Sequence, residues 1–202
     1  MIKNRKWLFW GTGDPDGTFG GQKGQNFVIA LNRNAASPGS PATLEDIEEL
    51  DPAQGDNVAV QSNGWYLPLD EKEMISTPPL LYKGHLFLAT YLPSDDNCKV
   101  GSSNIYIMMA ENGLGGWISN DTSLKKRITL DATRISGITV TGGKVFIGAT
   151  RYPGASGLPT EMSNLTLSGN LIVFDVPDQI EDQDDIIPSK SARPTYWRDW
   201  KP

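Results

Sequence analysis

Few side chains in this 202-residue sequence stand at spacings that suit chemistry. Asp14-Pro15-Asp16-Gly17-Thr18 presents oxygen ligands at alternate positions, as a calcium loop requires. Asp14, Asp16 and Thr18 are therefore the candidate metal ligands, and calcium the candidate ion. Phe19-Gly20-Gly21-Gln22 adds no further carboxylate, so a solvated Asp-Pro-Gly turn is the competing reading. A second acidic spot, Asp95-Asp96, lies near Cys98, the single cysteine. His85 is the single histidine. With one of each, an internal disulfide is impossible, and a thiolate metal site or a histidine-based catalytic triad lacks its parts. Asp95-Asp96 is accordingly expected in a surface loop, and the acidic run from Asp178 to Asp185 in a solvated linker. Of the six tryptophans, Trp7, Trp10 and Trp65 fall in apolar strands and are expected in the core. Trp117, Trp197 and Trp200 are expected to reach the surface, where an indole can stack on a ligand.

Composition narrows the partners. The net charge of −6 argues against nucleic acid or an anionic membrane, both of which call for a dense basic face. No apolar run approaches the roughly 20 residues of a membrane span. The apolar part of the opening stretch, Trp7 to Trp10, is too short for a signal-peptide core, so no export signal is read here. A hydrophobic fraction of 38% supports a packed interior, while 21 Gly and 14 Pro call for many turns and few long helices.

The elements that carry these residues repeat. Trp7-Leu8-Phe9-Trp10-Gly11-Thr12 recurs as His85-Leu86-Phe87-Leu88-Ala89-Thr90 and as Lys144-Val145-Phe146-Ile147-Gly148-Ala149. A second motif follows each copy, beginning at Asn26, Asn104 and Asn170. Phe9 to Asn26 and Phe87 to Asn104 both span 17 positions; Phe146 to Asn170 spans 24, its excess read as a loop from Tyr152 to Gly169. Copies two and three are preceded by a further strand, Ile75 to Tyr82 and Ile135 to Thr141, joined through Lys83-Gly84 and Gly142-Gly143 hairpins. Trp65–Leu69, Arg127–Leu130 and Thr195–Trp200 supply a fourth strand. One short helix is expected, from Ser40-Pro41 through Leu44, Ile47 and Leu50.

Four strands per unit, the middle two apolar throughout, predict an all-β fold: a partial β-propeller of about three four-stranded blades. A β-sandwich of mutually similar strands is the alternative. The blade-like units are about 1–70, 71–131 and 132–202, in a single domain. The first unit lacks its first strand, so the chain is expected to be part of a larger propeller, a split-gene product, or a domain closed by another chain or an upstream segment.

The run from Gly64 to Gly113 resembles the C-terminal region of the type IV pilus assembly and tip-adhesin proteins of the PilC/PilY group. The residues that carry the likeness are Gly64, Trp65, Leu69, Glu73, Thr90, Pro93, Cys98, Gly101 and Ser103. "FWGTGD" at Phe9–Asp14 and "YWRDW" at Tyr196–Trp200 resemble the family's Gly-Thr-Gly strand end and closing Ser-Trp-Arg segment. The resemblance implies a quinoprotein-dehydrogenase-like blade fold and a non-enzymatic role in pilus assembly and adhesion. It implies an extracellular or cell-surface parent protein, whose partners are minor pilins, the remainder of a larger propeller chain, or a host-surface ligand. It also makes calcium at Asp14–Thr18 attractive, and an exported parent would allow Cys98 to pair with a cysteine upstream of Met1. The alternative is a fragment of a quinoprotein-like enzyme, which would need a calcium-bound pyrroloquinoline quinone and a catalytic carboxylate at the centre of a closed propeller.

Overall fold

A computed structural model describes residues 7–13, 25–32, 43–60, 63–96, 98–118, 123–131, 133–151 and 165–176. The fold is all-β, and the repeats of the sequence become sheets. Sheet 1 holds β1 (Trp7–Gly11), β2 (Phe27–Asn32), β3 (Glu48–Glu49) and β4 (Gly64–Pro68), in the order β1-β2-β4-β3. Sheet 2 is built from β5 (Met74–Ile75), β6 (Leu80–Tyr82), β7 (His85–Leu92), β8 (Ser102–Met109) and β11 (Arg127–Leu130). Between β8 and β11, a two-stranded ribbon pairs β9 (Trp117–Ile118) with β10 (Leu124–Lys125). Sheet 3 orders β12 (Arg134–Thr141), β13 (Lys144–Arg151), β15 (Leu171–Asp175) and β14 (Thr166–Ser168) as β12-β13-β15-β14. Every pairing is antiparallel except β3 with β4. No barrel closes among the described strands.

The sheets stack like blades. Because side chains alternate across a strand, Leu86 and Leu88 of β7, with Tyr106 and Met108 of β8, face sheet 1. There they meet Val28, Ala30, Trp65 and Leu67. Phe87 and Ala89, with Ile105 and Ile107, face the other way and meet Ile135, Val145, Ile147, Ile172 and Phe174 of sheet 3. Sheet 2 is thus buried on both faces, which is why β7 and β8 read as continuous apolar runs.

Both expected hairpins form. Lys83-Gly84 and Gly142-Gly143 hold positive φ at both turn residues, the conformation whose twist matches a two-residue hairpin. The strand expected over Ile75–Tyr82 is interrupted at Pro78-Pro79, which lack the N–H groups a ladder needs. Thr77 Oγ1 compensates by accepting from the Ala89 amide at 2.9 Å.

Two expectations change. The helix through Leu44, Ile47 and Leu50 is a single 3-10 turn, Leu44–Asp46, closed on itself by the Thr43 amide donating to Asp46 Oδ2 at 2.7 Å. Ile47 is already extended, and the Leu50 amide bonds to the Tyr66 carbonyl at 2.8 Å: pairing along β4 satisfies backbone that a longer helix would have had to satisfy itself. Ser40-Pro41 lies outside the described residues. The loop read over Tyr152–Gly169 ends in a strand, β14, which folds back on β15 and takes the edge expected for Thr195–Trp200; that last segment is also outside the described residues.

Register also differs between the sheets. Phe87 pairs with Ile107 and Phe146 with Val173, but Phe9 pairs with Ala30, one position beyond its counterpart in the Asn-led motif. A one-residue slip exchanges the two faces of a strand. In β2 it sends Val28 and Ala30 inward and leaves Phe27, Ile29 and Leu31 on the outer face.

Candidate functional site

The residues singled out for chemistry do not converge. Asp14, Asp16 and Thr18 lie outside the described residues, as do Asp178–Asp185, Trp197 and Trp200. Asp95 pairs with Lys72 at 2.7 Å and Asp96 with Lys99 at 3.4 Å, in the surface loop expected of them. Each of these exposed pairs contributes little to stability. Cys98 is exposed and free. Among the described residues no group of three or more His, Cys, Asp or Glu side chains is arranged to hold a metal, and no helix is long and apolar enough to cross a membrane.

The tryptophans sort differently from expectation. Trp65 is fully buried, and its indole N–H donates to the Ala110 carbonyl at 3.1 Å, tying sheet 1 to the end of β8. Trp10, expected in the core, is 40% exposed, because alternation along β1 points it away from sheet 2. Trp117, expected at the surface, is only 1% exposed. The Gly115-Gly116 step that suggested a loop instead lets the backbone fold onto β8. The Gly116 amide bonds to the Ile107 carbonyl at 2.8 Å, and a Cβ at Gly116 would sit 2.7 Å from Ile107 Cγ2.

What does converge is a polar cluster around Glu73. A tight turn precedes it: the Glu73 amide donates to the Asp70 carbonyl at 2.9 Å, and the Asp70 amide to Glu73 Oε2 at 2.8 Å. The turn sends the carboxylate into the gap between sheets 1 and 2, where it is completely buried. Thr90 on β7 and Asn104 and Tyr106 on β8 share one face of sheet 2. The Thr90 hydroxyl donates to Glu73 Oε1, Asn104 Nδ2 donates to the same oxygen at 2.7 Å, and the Tyr106 phenol reaches it at 3.2 Å. The carboxylate thus accepts from Thr90, Asn104 and Tyr106 at Oε1 and from the Asp70 amide at Oε2.

The cluster extends into both neighbours. Thr129 of β11 donates to Asn104 Oδ1 at 2.7 Å. From sheet 1, Asn26 Nδ2 donates to the Glu73 carbonyl at 2.7 Å, and Thr12 bridges Asn26 to the Phe27 amide. Burial, followed by the Glu73 charge, holds the Tyr106 phenol far above the usual tyrosine range, so it stays a donor. Arg127 sits at the rim, 2.8 Å from Asp70. With donors on both oxygens, this carboxylate ties the turn before β5 to β7 and β8.

Lys126 is a second buried ion, next to Arg127 in sequence. Its Nζ donates to the Asn57 carbonyl at 2.6 Å and the Asp51 carbonyl at 3.1 Å, pinning the loop between β3 and β4 onto sheet 2. Burial lowers its pKa to about 8. His85 is also buried; its Nδ1 lies 3.2 Å from the Lys83 carbonyl, to which it can only donate, and burial lowers its pKa. Sequence reasoning reached Glu73 and Thr90 only through the family resemblance and passed over Lys126, because Lys125-Lys126-Arg127 has the composition of a solvated charge run.

Fold and site together define an all-β, propeller-like segment in which a buried carboxylate ties strands together in one inter-sheet gap. No protein-family model, curated protein or solved structure matches the chain.

Proposed function

We propose that this chain is a non-enzymatic, propeller-type segment of a type IV pilus assembly or tip-adhesin protein, working by binding other proteins. The observation that carries the proposal is the fate of the Gly64–Ser103 run. Trp65, Glu73, Thr90 and Ser103 are all buried and engaged with neighbouring strands. Residues engaged in this way support a reading in which the motif builds the blade. What such a segment presents outward is loop, sheet edge and sheet face, the means by which proteins recognise strands and sheets. Minor pilins, or the rest of a longer propeller chain, are partners of that kind, and a host-surface ligand would be reached by the parent protein. The net charge of −6 weighs against a nucleic-acid partner.

The test is an immunoblot of cells that make the protein, with an antibody raised against this segment, comparing sheared surface filaments with cytosol. The proposal expects signal in the filament fraction, in a band heavier than 22.1 kDa. A band of 22.1 kDa confined to cytosol would overturn it.

A further inference from the structure

Sheet 1 is one strand short beside the other two. In sheet 2, β7 is paired on both sides, with β8 on one and with β5 and β6 on the other. In sheet 3, β13 likewise lies between β15 and β12. β1 carries the same motif, yet among the described strands it pairs with β2 alone. The ladder fixes where its remaining groups point. The Thr12 amide donates to the Phe27 carbonyl at 2.9 Å, and antiparallel bonds alternate, so Trp10 and Leu8 continue the bonding to β2. The backbone amides and carbonyls of Phe9 and Gly11 therefore point the other way, to an edge that no described strand covers. Beside that edge, on the outer face, Leu8 and Trp10 are 51% and 40% exposed.

At the other end of the chain, the segment expected to form a strand has had its place taken. Thr195–Trp200 corresponds in motif order to β4 and β11, the strands beside β2 and β8, but β14 holds that position beside β15. Thr195-Tyr196-Trp197 is β-favouring, and Pro194 ahead of it is tolerated at the start of a strand. Arg198, Asp199 and Lys201 are charged residues that suit a strand at the edge of a sheet. The length of chain is sufficient. The eighteen residues between Val176 and Thr195 span up to about 60 Å when extended. Sheets stack about 10 Å apart, which puts sheet 1 about 20 Å from sheet 3.

We infer that Thr195–Trp200 is the missing edge strand of sheet 1, running antiparallel to β1 as β6 runs to β7 and β12 to β13. The pairing gives Phe9 a cross-strand neighbour on its open side, as Leu80 is to Phe87 and Thr139 to Phe146. Side chains alternate along a strand, so Tyr196 and Trp200 share one face of the segment and Trp197 lies on the other. Either register therefore sets an aromatic ring beside the exposed Leu8 and Trp10. The strand also fastens the end of the chain to its first sheet. The inference rests on strand pairing and not on the pilus proposal.

Amide hydrogen exchange in the full 202-residue chain tests it. Neighbouring residues of a strand point their N–H groups to opposite sides, so one of Trp197→Pro and Arg198→Pro removes a donor aimed at β1. That variant should speed exchange at Phe9 and Gly11 at least tenfold, with β7 and β8 unchanged. Ser191→Pro, ahead of the segment, should leave all of these as they are. Disulfide trapping gives a second readout that holds even if a proline variant fails to fold. In a Cys98→Ser background, Leu8→Cys is combined in turn with Thr195→Cys, Tyr196→Cys, Trp197→Cys, Arg198→Cys, Asp199→Cys or Trp200→Cys. Oxidation should close a disulfide within one chain, at the monomer mass, for at least one of these pairs. Unchanged exchange at Phe9 and Gly11 in both proline variants overturns the inference. So does the absence of any disulfide within the chain, and so does a disulfide joining two chains, which would mean that the segment is given to a neighbouring copy. Each of these failures leaves the pilus proposal standing, and a purely cytosolic band leaves this inference standing.

Discussion

The two inter-sheet gaps of this molecule are built on different physics. Between sheets 2 and 3 the contact is hydrocarbon: Phe87, Ile105, Ile107 and Ile128 against Val145, Ile147, Ile172 and Phe174. The main buried polar link there is Ser103, which donates to the Thr133 carbonyl at 2.9 Å and accepts from the Ile135 amide at 3.3 Å. Between sheets 1 and 2, a comparable apolar cluster shares the gap with Glu73 and its partners and with Lys126 at the margin. Apolar burial is strong but indifferent to direction. A buried carboxylate is costly unless every donor meets it in place. The second gap is therefore set by volume, and the first by geometry. The polar gap is also where register slips by one residue relative to the other two sheets. A directional network is suited to holding such an offset.

Substitutions can separate these two modes. The largest effect is expected from Trp65→Ala, which removes the biggest side chain of the first gap and its bond to Ala110. It should lower stability by about 4 kcal/mol, read from the denaturant midpoint. Glu73→Gln keeps the volume but turns an amide donor toward groups that already donate. It should cost about 3 kcal/mol, and Glu73→Leu should not restore the loss, because Thr90, Asn104 and Tyr106 would remain without an acceptor. A loss under 1 kcal/mol in Glu73→Gln would mean that the polar gap is held by volume after all.

Lys126 makes the first gap pH-sensitive with a definite sign. Its folded pKa of about 8 lies below the ordinary lysine value, so between about pH 8 and 10.5 the unfolded chain binds more protons than the folded one. Stability contributed at this site therefore rises with pH across that window, by at most about 1.4 kcal/mol per pH unit. The difference between the native chain and Lys126→Met, followed by urea unfolding at pH 7 to 10, should show that rise. A flat difference would remove the buried charge from the account. The smallest effect belongs to the hydrocarbon gap: Ser103→Ala should cost about 1 kcal/mol, at every pH in the same range.

The strands were legible because burial on two faces leaves a plain mark, a continuous apolar run closed by small residues. His85–Thr90 and Lys144–Ala149 are such runs, and the Gly-containing turns before them announce the hairpins. Register was not legible, since motif spacing counts residues along the chain while pairing depends on the path of the loop between strands. Phe9 and Phe87 stand 17 residues before their Asn positions, yet pair differently across the sheet. Trp117 misled because paired glycines serve close approach as readily as they serve a loop. Lys126 misled because nothing local separates a buried lysine from a solvated one. Its partners, Asp51 and Asn57, are carbonyl donors of electron pairs some seventy positions earlier in the chain.

Burial of sheet 2 on both faces has a consequence for how the molecule opens and closes. A sheet that is apolar on both sides cannot persist alone in water, whereas sheets 1 and 3 each turn only one covered face inward. Nearest-neighbour coupling of this kind makes the central unit the cooperative hub of the array. Either outer sheet can detach while the middle one keeps a partner, but loss of the middle one dissolves both contacts together. Amide hydrogens of β7 and β8 should accordingly be the slowest in the chain to exchange with solvent, at the rate of global unfolding. Those of β1 and β14, at the margins of the outer sheets, should exchange through local fraying long before that.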